Sequence, residues 1–330
     1  MNVDIQTVID RRNSGEKLVL IAKSLSMPES TLRGRLRRAA SGQYHPKPRA
    51  AKAKIANAVN AAAPVPVVPT SSGTFVPPSW YTLLKYAVGS EKGACLFGPR
   101  GCGKSTAIRH LAAELNCPTV TLQCAANMQI DSLLGSWTSE AGTLKFVDGP
   151  LTLAVRSGAW LLAEEANVIH PGVWSLVNTL TDHTGEGLRL PSGELVPQSS
   201  GFRLILIYNE GYAGTREVNA ALKDRLMPIY CDYLPANEEI TLLEKLTGAT
   251  TEQATRVQAV AAMIRAANLR FDLSPRSLVR WVRLVKDAGL SWGQAYERAI
   301  LDLVGPPQLA APQRACLEEI ARNTVAQWTT

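Results

Sequence analysis

Apolar positions change their period along the 330-residue chain, and each change marks a different kind of structure. Residues 4–12, 16–25 and 29–40 carry them at helical spacing. In the second of these segments Leu18, Ile21, Ala22 and Leu25 share one face, and Ser26, Met27 and Pro28 turn the chain before a third helix that Pro28 is suited to open. Residues 43–79 lose the pattern. Pro, Ala, Lys and Ser dominate there, a composition that buries no core and reads as an extended tether. From Trp80 onward, short apolar runs at 94–98, 118–124, 160–165, 203–208 and 228–233 alternate with helical patterns. That alternation is the signature of a parallel sheet buried between helices. Residues 185–200 read as a β-hairpin turning at Ser192 and Gly193. Beyond Leu234 the strands stop, and helical patterns remain at 236–246, 251–268, 274–288, 292–304 and 312–327. The expected fold class is α/β, a parallel sheet sandwiched by helices, with an all-α C-terminal subdomain and a small all-α N-terminal domain. The expected boundaries are 1–42, 43–79, 80–233 and 234–330.

Charge sharpens the division. The net charge is +7, but residues 1–54 hold 12 Lys/Arg against 4 Asp/Glu, a balance of +8. The remaining chain holds 23 basic and 24 acidic side chains, so the basic excess belongs to the N-terminal module. Such a module points to nucleic acid or an acidic partner. The apolar share of 46% suffices for a full core. No apolar run reaches the 18 to 20 residues, roughly, that a membrane span needs, and the N-terminus lacks a secretory pattern. The six cysteines form no C-x-x-C pair and imply neither a disulfide framework nor a zinc site. A cytoplasmic, membrane-free protein is the expectation.

The chemistry centres on Gly98, Pro99, Arg100, Gly101, Cys102, Gly103, Lys104 and Ser105, which fill the pattern G-x-x-x-x-G-K-[ST]. The motif follows an apolar run and precedes the helical run that Thr106 opens, the context a phosphate loop requires. Its glycines let backbone N–H groups point at phosphate oxygens, and the helix adds its positive N-terminal end. Lys104 is expected to reach the β- and γ-phosphates of ATP, and Ser105 to hold Mg²⁺. Downstream, the run from Trp160 ends on Glu164 and Glu165, two acids at the end of a buried strand. The first is expected to orient the Mg²⁺ shell. The second is expected to polarise the attacking water.

These motifs, in this order, resemble AAA+ ATPases of the MoxR class, nearest the CbbQ/NirQ and cobaltochelatase-small-subunit branch. The resemblance covers about residues 80–290. Leu133-Leu134-Gly135, the segment from Phe146 to Leu151, and Glu164-Glu165-Ala166-Asn167 match the stretches around the acidic strand end. Phe202 to Asn209 matches the sensor 1 strand, Ala221 to Leu226 the A-L-x-D-R-F stretch, and Leu273-Ser274-Pro275-Arg276 sensor 2. The chain departs from the pattern with Glu164 for Asp and Leu226 for Phe. The resemblance implies catalytic roles for Glu165, Asn209, Arg225 and Arg276. Arg225 would be an arginine finger reaching a neighbouring subunit's site, with Arg216 the alternative finger, or else a structural salt bridge to Asp224 or Glu217. It also implies a homo-oligomeric ring, a hexamer, and a partner carrying a von Willebrand A domain. Trp137, Leu144 and Phe146 would either contact a substrate or pack beneath their loop.

The N-terminal stretch from Ile21 to Arg33 resembles a helix-turn-helix of the resolvase or regulator type, with Ser30, Thr31, Arg33 and Arg37 facing DNA. A helical docking domain with a solvated basic face is the alternative. Two functions stay open: a ring that remodels a partner protein, and an ATP-switched DNA-binding protein of the transposition or helicase-loader type.

Overall fold

A computed structural model of the chain describes residues 5–25, 28–40, 65–71, 73–140, 142–182, 185, 187–211, 214–267, 269, 272–305 and 307–328. Two compact units divide at residues 62 and 63. In the first, helices Ile5–Asn13, Leu18–Ser24 and Glu29–Ala40 bury Val8, Ile21, Ala22 and Leu32, with Leu18, Leu25 and Leu36 packed alongside. The Pro28 carbonyl accepts from the Thr31 and Leu32 amides, so the proline starts the third helix as expected.

The second unit is built on five parallel strands. They are β1 (Gly93–Phe97), β2 (Thr119–Gln123), β5 (Trp160–Glu164), β8 (Arg203–Tyr208) and β9 (Met227–Tyr230), in the order β2-β5-β8-β1-β9. Both faces are covered. Leu161, Ala163, Leu204 and Leu206 pack on one side of the sheet, and Leu96, Leu162, Ile205 and Ile207 on the other. A strand buried on both faces has no polar side to alternate, which explains the unbroken apolar runs. Register decides where the loops meet. Phe97 pairs with Tyr208 and Glu164 with Ile207, so β1, β5 and β8 end level. The loop after β1, Glu165 and Asn209 therefore share one carboxyl edge, where open α/β sheets place their ligands.

Two hairpins project from this core. β3 (Gly135–Glu140) pairs with β4 (Thr143–Asp148). Trp137 pairs with Phe146 and Ser139 with Leu144, which puts the three large apolar side chains on one face. Trp137 and Leu144 stay 55% and 70% exposed, while Phe146 packs against the core. Packing beneath the loop, one of the two sequence readings, therefore describes Phe146 but not Trp137 or Leu144. The shorter hairpin of β6 (Leu188–Arg189) and β7 (Leu195–Val196) turns where expected. The Gly193 amide donates to the Leu190 carbonyl, and Gly193 has φ 88°, a backbone region that favours glycine. Arg156 ties the hairpins together through Asp148 and Glu194.

The C-terminal helices form a lid subdomain around Trp281, which contacts Trp292, Tyr296 and Trp328 at ring distances of 6.0, 5.1 and 5.4 Å. Capping boxes at Thr250/Gln253 and Ser291/Gln294 start two of these helices. The fully buried Glu239 takes two bonds of 2.8 Å from Arg265. The helix expected to open at Pro312 begins at Pro307 instead and carries Pro312 inside it. The expected helix 292–304 is interrupted by a π turn at Glu297–Leu301.

Part of the expected tether is anchored on the core. Val67 and Thr119 exchange backbone bonds of 3.0 and 2.9 Å at the sheet edge, and Phe75 stacks on His110 at 4.0 Å. Proline and alanine content hid this, because a strap needs only a few anchors. Residues 43–64 and 72 of the expected tether lie outside the described residues. Among the described residues, no helix is long and apolar enough to cross a membrane.

Candidate nucleotide site

The loop after β1 needs glycine for two separate reasons. At Gly98, φ is 143° and a Cβ would lie 2.2 Å from the Cys231 carbonyl oxygen, so the backbones pack too closely for any side chain. Gly103 has open space around it but a φ of 96°, which launches helix Lys104–Glu114 from a left-handed residue. Lys104 is buried at 6% exposure. Its ammonium donates to the Gly98 and Pro99 carbonyls at 3.0 and 2.8 Å and to Asn209 Oδ1 at 2.9 Å, which satisfies its three donors. Cys102 is buried beside it, and that burial pushes the thiol up while the Lys104 ammonium pulls the other way. Arg100 carries the loop outward, its carbonyl accepting from the Tyr233 hydroxyl at 3.2 Å. Thr106 is exposed on the first turn of the helix.

The acids meet the loop from the neighbouring strands. Ser105 Oγ donates to Glu164 Oε2 at 3.0 Å. A hydroxyl and a carboxylate oxygen this close, beside a phosphate loop, suit Mg²⁺, which takes few protein oxygens and relies on water and phosphate for the rest. Asn209 Nδ2 donates to Glu165 Oε1 at 3.3 Å, which links Lys104, Asn209 and Glu165 in one hydrogen-bonded series. Glu165 holds φ 55°, a left-handed conformation costing about 1–2 kcal/mol for a residue with a Cβ. Strain of this kind persists where surrounding structure enforces it, and here the Ala166 amide is fixed to the Ile207 carbonyl at 3.1 Å. Asn167, 3% exposed, donates to the Asn209 carbonyl at 2.7 Å, and its own carbonyl accepts from the Arg216 amide at 2.8 Å.

A cavity of about 1060 Å³ joins these groups. Its floor is the loop with Glu164, Glu165 and Asn209; its lid side carries Arg276 and Arg280, and its third wall is Thr74, Phe75, Val76 and Pro78. Lys104, Ser105, Thr106, Glu164, Glu165, Asn209 and Arg276 thus converge as the sequence implied. The strap residues were missed because the tether reading covered them. Arg280 was also missed, although it lies one helical turn beyond Arg276.

Arg225 stands apart. It lines no part of this cavity and is bonded through Nε to Asp182 Oδ1 at 2.7 Å, not to Asp224 or Glu217. Arg216 is exposed. In the N-terminal unit, considered by itself, Ser30, Thr31 and Arg33 are exposed, and Arg33 is paired with Glu29 at 2.6 Å. The Arg37 side chain lies outside the described residues.

Part of the chain is similar to known proteins. Residues 93–226 match the family model for the AAA domain (dynein-related subfamily). The matched residues hold β1, β2, β5 and β8 of the parallel sheet, and the helical C-terminal subdomain follows them. An uncharacterized protein of Staphylococcus haemolyticus is 34% identical over 149 residues, 44% of this chain and 57% of the relative. One of Staphylococcus epidermidis is 31% identical over 168 residues, 49% of this chain and 64% of the relative. The chain therefore spans roughly three fifths of the length of these curated relatives. Among solved structures, the Thermotoga maritima RuvB Holliday junction branch migration motor aligns with a TM-score of 0.42 at 15% identity, over 74% of this chain and 66% of that one.

Proposed function

We propose that this chain is an ATP hydrolase of the MoxR branch of AAA+ proteins, working as a ring of identical subunits, a hexamer, that remodels a partner protein. The observation that carries the reading is the series Lys104–Asn209–Glu165 at the mouth of a phosphate loop, with Ser105 and Glu164 beside it. Phosphoryl transfer needs positioning and charge stabilisation more than covalent chemistry, and these groups supply both. Lys104 exchanges its loop carbonyls for phosphate oxygens. Glu165 takes the proton of the attacking water, and Asn209 orients that water or the γ-phosphate. Arg276 reaches the phosphates from the lid. Ser105 and Glu164 would hold Mg²⁺, which would supply charge neutralisation to the phosphates. Arg225, which is not among the residues lining its own cavity, suits a role in the neighbouring subunit's site. The exposed Trp137 and Leu144 suit contact with the remodelled partner, for which a von Willebrand A domain protein is the proposed class. Phosphate release from ATP, dependent on Mg²⁺ and lost in Lys104→Ala, is the expected result. A chain that binds ATP tightly yet releases no phosphate in any assembly state would sink the hydrolase reading.

The three-helix basic unit favours a second role, targeting to DNA, and keeps open an ATP-switched DNA-binding protein. Exposed Ser30 and Thr31 at the start of the third helix suit groove contact. The Arg33–Glu29 and Arg11–Glu16 pairs occupy two of the 12 basic side chains of residues 1–54, and the +8 balance already counts both acids. Roughly three to five phosphate contacts per unit would give a slope of about −3 to −5 in log K against log salt. Several units on one ring would add avidity. Removing residues 1–62, ahead of the strap, should abolish DNA binding and leave basal turnover intact. Anisotropy across a salt series checks it, and the absence of salt-sensitive binding by the full chain with ATP would make the unit a protein-docking domain.

A further inference from the structure

Glu164 carries a second bond that the nucleotide chemistry does not require. Arg109 lies four residues beyond Ser105 on helix Lys104–Glu114, so the two side chains share a face one turn apart. Ser105 Oγ donates to Glu164 Oε2, and the Arg109 guanidinium donates to Oε1 at 2.5 Å. The glutamate thus spans two turns of the phosphate-loop helix from the end of β5. An aspartate, one methylene shorter, would not extend as far toward Arg109 while keeping Ser105.

We infer that Arg109 is a positioning residue that holds Glu164 against the phosphate-loop helix and competes with Mg²⁺ for its carboxylate, so that this ion pair sets the Mg²⁺ concentration at which nucleotide binds tightly. The inference rests on the Mg²⁺–ATP reading of the site. A cation in direct contact with a carboxylate weakens the field that carboxylate offers to a second cation. Glu164 is 20% exposed and Arg109 43%, so the effect is partly screened by solvent but not abolished. Mg²⁺ keeps most of its water and takes few protein oxygens, so one neutralised carboxylate is a large part of what the protein offers it. The unusual glutamate follows from the same geometry, since its length serves both partners. An ion pair of this exposure contributes little to stability, so a stability measurement would not reveal its role.

The test is binding of a fluorescent ATP analogue to the full-length chain, titrated against Mg²⁺. Arg109→Gln should lower the Mg²⁺ midpoint about three- to tenfold, the effect of removing one partly screened charge. Arg109→Lys, which keeps the cation, should retain most of the wild-type midpoint. Glu164→Asp should release Arg109 and shift the midpoint in the same direction. The double variant Arg109→Gln/Glu164→Asp should shift no further, because the two changes remove one interaction. An unmoved midpoint in Arg109→Gln, or shifts that add in the double variant, overturns the inference. A wild-type chain that binds no nucleotide at any Mg²⁺ concentration overturns the Mg²⁺–ATP reading as well, whereas wild-type binding with an unmoved variant midpoint overturns this inference alone.

Discussion

Glu165→Gln should abolish phosphate release while leaving ATP bound. The substitution keeps the shape of the side chain and an oxygen for Asn209 Nδ2, so the series from Lys104 through Asn209 stays in place. It removes the group that accepts the proton of the attacking water. General-base catalysis contributes about 10²–10⁴ in rate, and turnover should fall by that factor. The backbone strain at φ 55° is the same for either residue, so thermal stability should not change. With hydrolysis blocked, assembled chains should accumulate in the presence of ATP. Single-turnover phosphate release and light scattering read the two effects separately. Undiminished release in the variant would remove Glu165 from its role and return attention to Glu164.

Arg225→Ala carries the second large effect, because an arginine finger contributes about 10³–10⁵ in rate. Arg225 stands outside its own cavity, on the last turn of helix Ala220–Arg225, with the Asp182 pair and the Ala221 carbonyl as partners. The variant should bind ATP with little change and hydrolyse it poorly. Mixing it with Lys104→Ala should restore part of the activity, since some interfaces then join an intact loop to an intact arginine. The Asp182 pair is half-exposed and worth up to about 1 kcal/mol, so the fold should survive its loss. Asp182→Asn breaks the same pair but keeps the arginine, and it should retain most of the turnover. Equal losses in Asp182→Asn and Arg225→Ala, or no rescue at any ratio in rings verified as mixed, would make Arg225 a structural residue.

What was legible in the sequence follows from local rules. The phosphate loop was readable because its glycines and lysine must stand at fixed spacing for backbone amides to face phosphate. The strands at 203–208 and 160–164 were readable because burial on both faces leaves unbroken apolar runs. The three N-terminal helices and the turn at Gly193 were readable because helix periodicity and the left-handed preference of glycine act within a few residues. Glu164, Glu165 and Asn209 were named from the ends of their strands, but the parallel register of β1, β5 and β8 is what sets those ends level. Only the tertiary structure brought Phe75 onto His110, turned Arg280 into the cavity, and set Glu164 between Ser105 and Arg109. The partner of Arg225 was likewise out of reach. Asp224 and Glu217 were candidates by nearness along the chain, whereas Asp182 is 43 residues away and is chosen by how two helices pack. Periodicity and spacing report forces that act along the chain. Contacts between distant segments depend on register and packing, which no single segment encodes by itself.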